Sequence, residues 1–182
     1  MVLLDQALEN SRNSFTSGEF IAKLSGLVRI VTDSKNSVSN EDLIRYYSEG
    51  LLSILTELGI QTKIIDNYVE NAPPFLIGER IESSELNTIL LYGHGDTVPL
   101  QQGLWYEGLI PNELKIVDKK IYGRGVADNK GQHLVNLLAL RSVLKTRKKL
   151  GFNLKIRCEM GEEIGGRSIM HQSGGAAAVW GG

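Results

Sequence analysis

Residues 87–99 read Asn-Thr-Ile-Leu-Leu-Tyr-Gly-His-Gly-Asp-Thr-Val-Pro. The near-continuous apolar run over 87–92 is typical of a strand that is buried on both faces of a sheet. His94 and Asp96 follow it at once, beside glycines that let the backbone approach other groups closely. Because functional side chains of an α/β domain gather in the loops at the carboxyl ends of its strands, this loop is the first candidate for a functional site.

Helical and strand patterns alternate around this stretch. Apolar residues recur at helical spacing over 17–32, from 40 to a stop near Gly59, and over 131–147. Shorter strand patterns lie at 61–66, 75–81, 119–122 and 153–159. Interleaved helices and strands indicate an α/β domain, and we expect three αβα layers around a largely parallel central sheet.

The composition narrows the classes of protein and of partner. The chain has 182 residues, of which 42% are hydrophobic and 23% are charged, and this is enough apolar material for a folded core. The formal net charge of -1 gives no electrostatic reason to expect binding to nucleic acid or to an acidic membrane surface.

Two further features bear on location. The apolar start Met-Val-Leu-Leu is interrupted by Asp5, and no stretch reaches the roughly 18 apolar residues of a membrane span. The single cysteine, Cys158, excludes an internal disulfide and suits a buried strand position in a reducing compartment. We therefore expect a cytoplasmic protein.

Three loops that follow predicted strands carry histidine or acidic residues beside glycines. They read GHGDTVP over 93–99, GRGVADNKG over 123–131 and GEEIGG over 161–166. Taken singly, each has a structural interpretation: a hydrogen-bonded histidine, a helix cap at Asp128, or a solvated Glu-Glu pair. Together, one imidazole and several carboxylates at the same edge of a parallel sheet form a ligand set that zinc accepts.

The resemblance to a known family comes from these strings. The third string extends to EMGEEIG over 159–165. In this order, the three strings resemble the signature blocks of the M20 metallopeptidases, a family of di-zinc aminoacylases, deacylases and peptidases. The resemblance implies a zinc-peptidase-like catalytic domain. The implied reaction is hydrolysis of an amide bond in a small peptide or an N-acyl amino acid.

The same resemblance assigns roles to five side chains. It implies that His94 binds one metal ion, that Glu163 binds the second and that Asp128 bridges both. It implies that Glu162 is the general base, and that Asp96 accepts a hydrogen bond from the other ring nitrogen of His94. The implied cofactors are two zinc ions, with cobalt or manganese as substitutes.

Two further expectations follow from the resemblance. It implies a non-proline cis peptide between Asp128 and Asn129. It also leaves a homo-oligomer open as the state of the protein.

The resemblance covers the chain to about residue 166. We therefore predict a partial catalytic domain over 1–166 and a divergent Gly/Ala-rich tail over 167–182. Family members carry a further acidic ligand and a later histidine ligand, for which this sequence has no matched position. We expect a truncated enzyme that is impaired or inactive alone, because each metal keeps two protein ligands where a catalytic zinc usually has three.

The sequence bears on three alternative functions. A non-catalytic remnant that at most binds a partner chain stays open. A dinucleotide-binding domain is disfavoured because Asp128 stands where the third glycine of Gly-x-Gly-x-x-Gly belongs. A serine hydrolase is disfavoured because the chain lacks Gly-x-Ser-x-Gly.

Four other side chains have an ambiguous pattern. His133 is expected on the surface of the long helix, because the family motif gives it no role. Trp105 and Tyr106 could line a substrate pocket or simply pack their own loop. His171 has no spacing that supports a role as a metal ligand.

Overall fold

A computed structural model describes residues 2–35, 39–67 and 69–165. Its helices are α1 (Val2–Thr16), α2 (Glu19–Arg29), α3 (Asn40–Arg45), a π-helical turn (Tyr46–Leu51), α4 (Leu52–Glu57) and α5 (Lys130–Arg147). Its strands are β1 (Gln61–Ile65), β2 (Phe75–Arg80), β3 (Thr88–His94), β4 (Lys115–Val117), β5 (Lys120–Tyr122) and β6 (Asn153–Glu159), followed by a 3₁₀ turn (Glu162–Ile164). None of the helices in these ranges combines the length and the apolar character that a bilayer crossing requires. The predicted tail over 167–182 and His171 lie outside the described residues, and the boundary at 166 stays a prediction.

The second predicted helix is one continuous stretch with a wider turn inside it. Ser39 caps its start by accepting a hydrogen bond from the Asp42 amide at 3.2 Å, which satisfies a donor that would otherwise be open. The backbone then runs from α3 through the π-helical turn into α4. It stops at Gly59, whose φ of 66° is left-handed, as the predicted stop requires.

One helix and one strand of the structure are missing from the sequence-based prediction. The helix α1 buries none of its residues and lies on α5 through polar contacts, of which one is a 3.0 Å hydrogen bond from Ser11 Oγ to Ser142 Oγ. The strand β4 pairs with β5 in a hairpin whose turn residues, Asp118 and Lys119, both have positive φ. Neither turn residue is glycine or asparagine, so the usual signal of such a hairpin is absent.

The main sheet has four strands in the order β1-β2-β6-β3, and β4 and β5 form a separate pair. β2 is antiparallel to both β1 and β6, whereas β3 and β6 are parallel. The α/β class is confirmed, but the expectation of a largely parallel sheet is wrong for the described strands. A short loop joins β1 to β2 as antiparallel neighbours, while the crossover that contains α5 makes β3 and β6 parallel.

The helices pack on one face of this sheet. The buried apolar side chains of helices and strands form one core, which includes Leu24, Val28, Tyr46, Leu55, Leu76, Leu134, Leu137, Leu154, Ile156 and Cys158. The opposite face carries Leu90 and Tyr92, and each of these side chains is about half-exposed. The described part of the chain therefore contains two of the three expected layers, the sheet and one layer of helices.

An ion pair ties α2 to α5 at the edge of the helical layer. Both terminal nitrogens of Arg141 donate to the Glu19 carboxylate, at 2.6 and 2.5 Å. Hydrogen bonding to Arg141 lowers the pKa of Glu19 to about 2, although burial opposes the shift. The arginine side chain is buried while that of Glu19 is 35% exposed, so solvent screens part of this interaction.

Candidate metal centre

The three loops singled out in the sequence meet at one end of the sheet. His94 is the last residue of β3 and lies beside Glu159, the last residue of β6. Asp128 precedes the start of α5 by two residues, and the 3₁₀ turn Glu162–Ile164 follows β6. The expected convergence is present, and it depends on the parallel pairing of β3 with β6.

His94, Asp128 and Glu163 form a group that could hold a metal ion. Each offers one donor atom, and these atoms all lie within 4.8 Å of one another. Two donors that bind one zinc ion at about 2.0–2.2 Å are at most about 4.4 Å apart, so the group is close to the spacing that an ion needs. An imidazole with two carboxylates also suits zinc chemically, and these residues therefore fit a metal ion.

The group has a buried side and an open side. The His94 ring is buried, and its Nε2 lies 3.0 Å from Asp128 Oδ1 and 3.9 Å from Glu162 Oε2. The side chains of Asp128 and Glu162 are 71% and 47% exposed. A small molecule from solvent can therefore reach the carboxylates directly, while the imidazole forms the floor.

Asp96 lies behind His94 and is fully buried. Its Oδ1 is 3.3 Å from His94 Nδ1, and its backbone carbonyl oxygen is 3.1 Å from the same nitrogen. Its carboxylate also accepts hydrogen bonds from the amides of Glu162 at 3.3 Å and Glu163 at 3.1 Å. The position behind His94 agrees with what the resemblance implies, whereas the link to the third loop has no signal in the sequence.

The charges of the group shift two pKa values. Burial lowers the pKa of His94, but hydrogen bonding to Asp96 and Asp128 outweighs it and raises this pKa to about 9. Burial raises the pKa of Glu163, and the neighbouring carboxylates of Asp128 and Glu162 raise it further against the opposing effect of His94. Without a metal the imidazole therefore keeps a proton between carboxylates, which a binding cation must displace.

The segment that carries Asp128 is joined to the end of β3. The peptide bond between Asp128 and Asn129 is cis, as the resemblance implies. The side-chain oxygen of Asn129 accepts a hydrogen bond from the His94 amide at 3.4 Å, and its nitrogen donates to Gln132 at 2.7 Å. Asn129 thus connects the second loop to the first, a contact that the sequence did not predict.

The expectation that His133 lies on the helix surface is wrong. Its Nδ1 is 2.8 Å from the Tyr46 hydroxyl, and its Nε2 is 3.8 Å from Cys158 Sγ. Burial lowers the pKa of His133 to about 4, so the ring is neutral. The apolar stripe along α5 is narrow, and no pattern in the sequence indicates that the π-helical turn supplies a partner for His133.

Lys130 is a further buried residue that the sequence did not single out. It is almost completely buried, and its Nζ donates to the carbonyl oxygens of Leu27 at 3.1 Å and Ile30 at 2.5 Å. Burial lowers its pKa to about 7. Because these two carbonyls lie at the end of α2, Lys130 attaches the start of α5 to that helix.

Of the two aromatic residues considered for a pocket, Trp105 packs its own loop. Its ring nitrogen donates to the Leu100 carbonyl at 2.8 Å, and the Arg124 guanidinium lies 5.4 Å from the ring centroid. Tyr106 is strongly exposed. These contacts support the packing interpretation for Trp105 and leave Tyr106 on the surface.

Curated relatives of the chain are peptidases and deacetylases. The Beta-Ala-His dipeptidase of Mus musculus is 32% identical over 161 residues, which are 81% of this chain and 32% of that protein. The Cysteinylglycine-S-conjugate dipeptidase of Corynebacterium striatum is 40% identical over 92 residues, which are 50% of this chain and 20% of that protein. The chain thus spans about a third or less of the length of these relatives.

The fold is shared with larger solved structures. Human carnosine dipeptidase 1 matches 100% of this chain with a TM-score of 0.80 at 26% identity, and the match covers 40% of that structure. The dipeptidase Dug1p of Saccharomyces cerevisiae matches 96% of this chain with a TM-score of 0.81 at 20% identity, and the match covers 38% of that structure. Both comparisons show that the overall fold described above recurs in larger dipeptidase structures.

The family follows from a match over half of the chain. Residues 90–182 match the family model described as Peptidase family M20/M25/M40. This range contains all three loops of the candidate metal centre, and it confirms the resemblance drawn from them. The chain therefore belongs to peptidase family M20/M25/M40.

Proposed function

We propose that the three loops form part of the metal centre of a hydrolase that cleaves an amide bond in a small peptide or an N-acyl amino acid. The observation that carries this proposal is the meeting of the His94, Asp128 and Glu163 donor atoms within 4.8 Å of one another. The donors come from segments far apart in sequence, and they belong to the three strings that match the family.

The proposed metal-binding roles follow the positions of the donor atoms. His94 would bind one ion through Nε2, because Nδ1 faces Asp96 at 3.3 Å. Asp128 would bridge both ions, which its exposed carboxylate beside Nε2 supports. Glu163 would bind the second ion, and the hydrogen bond that its backbone amide donates to the Asp96 carboxylate holds it near the first loop.

Glu162 would act as the general base. Zinc ions at the site would polarise the scissile carbonyl and lower the pKa of water. Glu162 would take a proton from the attacking water at Oε2 and pass it to the leaving amine. The 3.9 Å between this oxygen and His94 Nε2 supports the role, since the carboxylate lies beside the donor group and is open to solvent.

The substrate class is proposed from the relatives. Beta-Ala-His dipeptidases of Mus musculus and Homo sapiens each match 81% of this chain, and an acetylornithine deacetylase of Photorhabdus laumondii matches 62%. A dipeptide and an N-acetyl amino acid share an amide bond to an amino acid. We place a dipeptide first, because the dipeptidases match the larger share of the chain.

The 182 residues alone would bind metal weakly and turn over little substrate. The described residues give His94 and Asp128 to one ion, and Asp128 and Glu163 to the other. Each ion then has two protein ligands, one fewer than a catalytic zinc usually has. Association between copies stays a prediction, which sedimentation velocity at two protein concentrations would measure.

The test separates metal binding from chemistry. Zinc dissociation constants are measured by chelator competition for the wild-type chain, His94→Ala, Glu162→Gln and the surface control Glu9→Gln. Hydrolysis of β-Ala-His and of N-acetylornithine is followed over long incubations by mass spectrometry. Thermal unfolding checks that each variant folds.

We expect His94→Ala to weaken zinc binding by at least about 100-fold, because removal of a ligand should cost no less than the upper range for losing a contact that supports one. Glu162→Gln should change affinity less than about threefold and remove at least about 100-fold of any turnover. Wild-type affinity in His94→Ala would contradict the proposal. Absence of hydrolysis together with a zinc affinity that neither His94→Ala nor Glu162→Gln changes would favour a non-catalytic remnant instead.

A further inference from the structure

Two neighbouring tyrosines begin the π-helical turn, and both are fully buried. They are anchored to different parts of the molecule. The Tyr47 hydroxyl donates to the carbonyl oxygens of Pro74 at 3.1 Å and Cys158 at 3.0 Å. The Tyr46 hydroxyl instead lies 2.8 Å from His133 Nδ1, on the helix that follows the second loop.

The Tyr46 ring lies against the backbone of the first loop. Gly95 stands between His94 and Asp96, and a Cβ added to it would overlap the Tyr46 ring. Only a glycine leaves room for this contact. Any movement of the ring would therefore be transmitted to the backbone that carries His94.

The same side chain lies against the start of α5. Lys130 Nζ is 5.3 Å from the centroid of the Tyr46 ring, a distance at which a cation and an aromatic face attract each other. Together with the hydrogen bond to His133, this gives Tyr46 two contacts on the first turn and a half of α5. Asp128 lies two residues before Lys130.

The third loop borders the same space. Met160 is fully buried, and its Cε would lie 2.7 Å from a Cβ on Gly95, beside the Tyr46 ring. Met160 precedes Glu162 by two residues. The ring of Tyr46 thus reaches the immediate surroundings of all three loops.

His133 extends this contact to the other side of His94. A Cβ added to Gly93 would overlap His133 Nε2 and would lie 2.8 Å from Asn129 Oδ1. The hydrogen-bonded pair of Tyr46 and His133 therefore packs against both glycines that flank His94.

We propose that Tyr46 is a positioning residue of the metal centre: through its ring and its bond to His133 it sets the distance between the loop of His94 and the segment of Asp128. The proposal rests on the proposed metal centre and adds a residue outside the group His94, Asp128 and Glu163. Loss of the hydroxyl leaves the partly buried His133 Nδ1 without this partner, which frees the ring and the start of α5 to shift. Metal affinity responds to such shifts because donors must be held at a fixed spacing.

The first measurement is zinc affinity of the full 182-residue chain. Tyr46→Phe removes only the hydroxyl, and Tyr47→Phe is a matched control at the next position with the same burial. We expect the zinc dissociation constant to rise about tenfold in Tyr46→Phe, the lower end of what supporting contacts contribute, and less than about twofold in Tyr47→Phe. Urea unfolding should show both variants destabilised to a similar extent.

The second measurement needs no metal. In the metal-free chain, NMR signals of the His94 ring and the Gly95 amide should shift or broaden in Tyr46→Phe and stay near their wild-type positions in Tyr47→Phe. If Tyr46→Phe does not fold, His133→Gln is tested in its place, because it removes the Nδ1 atom. His133→Asn keeps an amide atom near that position and should retain affinity.

The outcomes separate this proposal from the proposed function. Equal effects of Tyr46→Phe and Tyr47→Phe on affinity and on the His94 signals, or no effect of Tyr46→Phe on either, would overturn the positioning role. If the wild-type chain binds no zinc, the proposed function fails, and the NMR comparison alone then decides whether Tyr46 positions His94.

Discussion

Two parts of the helical layer are held together by different means. At the start of α2, the contact with α5 is an ion pair between Glu19 and Arg141, which solvent partly screens. Under the metal centre, the contact is close packing of Tyr46 on Gly95, with no room for even one added methyl group. Damage to the first region should therefore lower stability alone, whereas damage to the second should lower stability and also move the metal donors.

The largest effect is expected from adding a methyl group in the packed region. Gly95→Ala places a Cβ in overlap with Tyr46 Cδ1 and 2.7 Å from Met160 Cε, which is too close for either contact. Overpacking of this kind destabilises a core by about 3 kcal/mol, and we expect zinc affinity to fall more than tenfold as the loop of His94 moves. Urea unfolding and chelator competition measure the two effects. A variant with wild-type values in both would show that the ring is not seated on Gly95.

A smaller effect is expected from breaking the ion pair in the other region. Arg141→Met removes the donors to Glu19 and to the Ser14 hydroxyl, which lies 3.0 Å away. We expect the free energy of unfolding to fall by about 2 kcal/mol, less than for a fully buried pair because Glu19 is partly exposed. Zinc affinity should stay within about twofold of wild type. A loss of affinity as large as that of Gly95→Ala would remove the distinction between the regions.

The ion pair should also make stability depend on pH. The pKa of Glu19 is about 2 in the folded chain, against an ordinary value of 4.5. Because the folded state holds this proton less tightly, the contribution is present above about pH 4.5 and is lost as the pH falls towards 2. After discounting for solvent screening we expect about 1 kcal/mol at pH 7.

This pH dependence is measured by comparing urea unfolding of wild type and Glu19→Gln. The difference between them should shrink by more than half between pH 7 and pH 3. A difference that stays constant with pH would mean that the carboxylate charge does not contribute to folding.

The smallest effect is expected from a methyl group added where there is space. Gly26 lies inside α2, and a Cβ there would meet nothing within 4 Å. Gly26→Ala should raise the free energy of unfolding by up to about 1 kcal/mol, because alanine favours the helix, and should leave zinc affinity unchanged. It is the matched control for Gly95→Ala, since both change glycine to alanine. Destabilisation by Gly26→Ala would show that α2 depends on that glycine.

The site was more predictable than the sheet. The sequence predicts that His94, Asp128 and Glu163 lie close together, because each follows a strand or precedes a helix and the ends of parallel strands meet. The sheet itself could not be derived, because the placement of β2 between β1 and β6 is a long-range pairing that no local pattern records. The parallel pairing of β3 with β6 was enough to bring the three loops together as predicted.

Two of the misses around the site, at His133 and Lys130, involve the π-helical turn. The π-helical turn changes which side chains point inward, and its sequence Tyr-Tyr-Ser-Glu-Gly-Leu has the apolar pattern of an ordinary helix. Tyr46 of that turn supplies the hydrogen-bond partner of His133 Nδ1 and the ring that Lys130 faces. The pattern of α5 alone therefore gave no reason to bury either residue.

The contacts of Asp96 predict how substitutions at the site combine. A single buried carboxylate faces His94 Nδ1 and also accepts the amides of Glu162 and Glu163. Substitutions at the proposed metal ligand Glu163 and at the proposed base Glu162 are therefore not independent of substitutions at Asp96. Substitutions at Asp96 and at either glutamate should show epistasis, the double variant losing less than the sum of the single losses, because the first change already releases what the second would disturb.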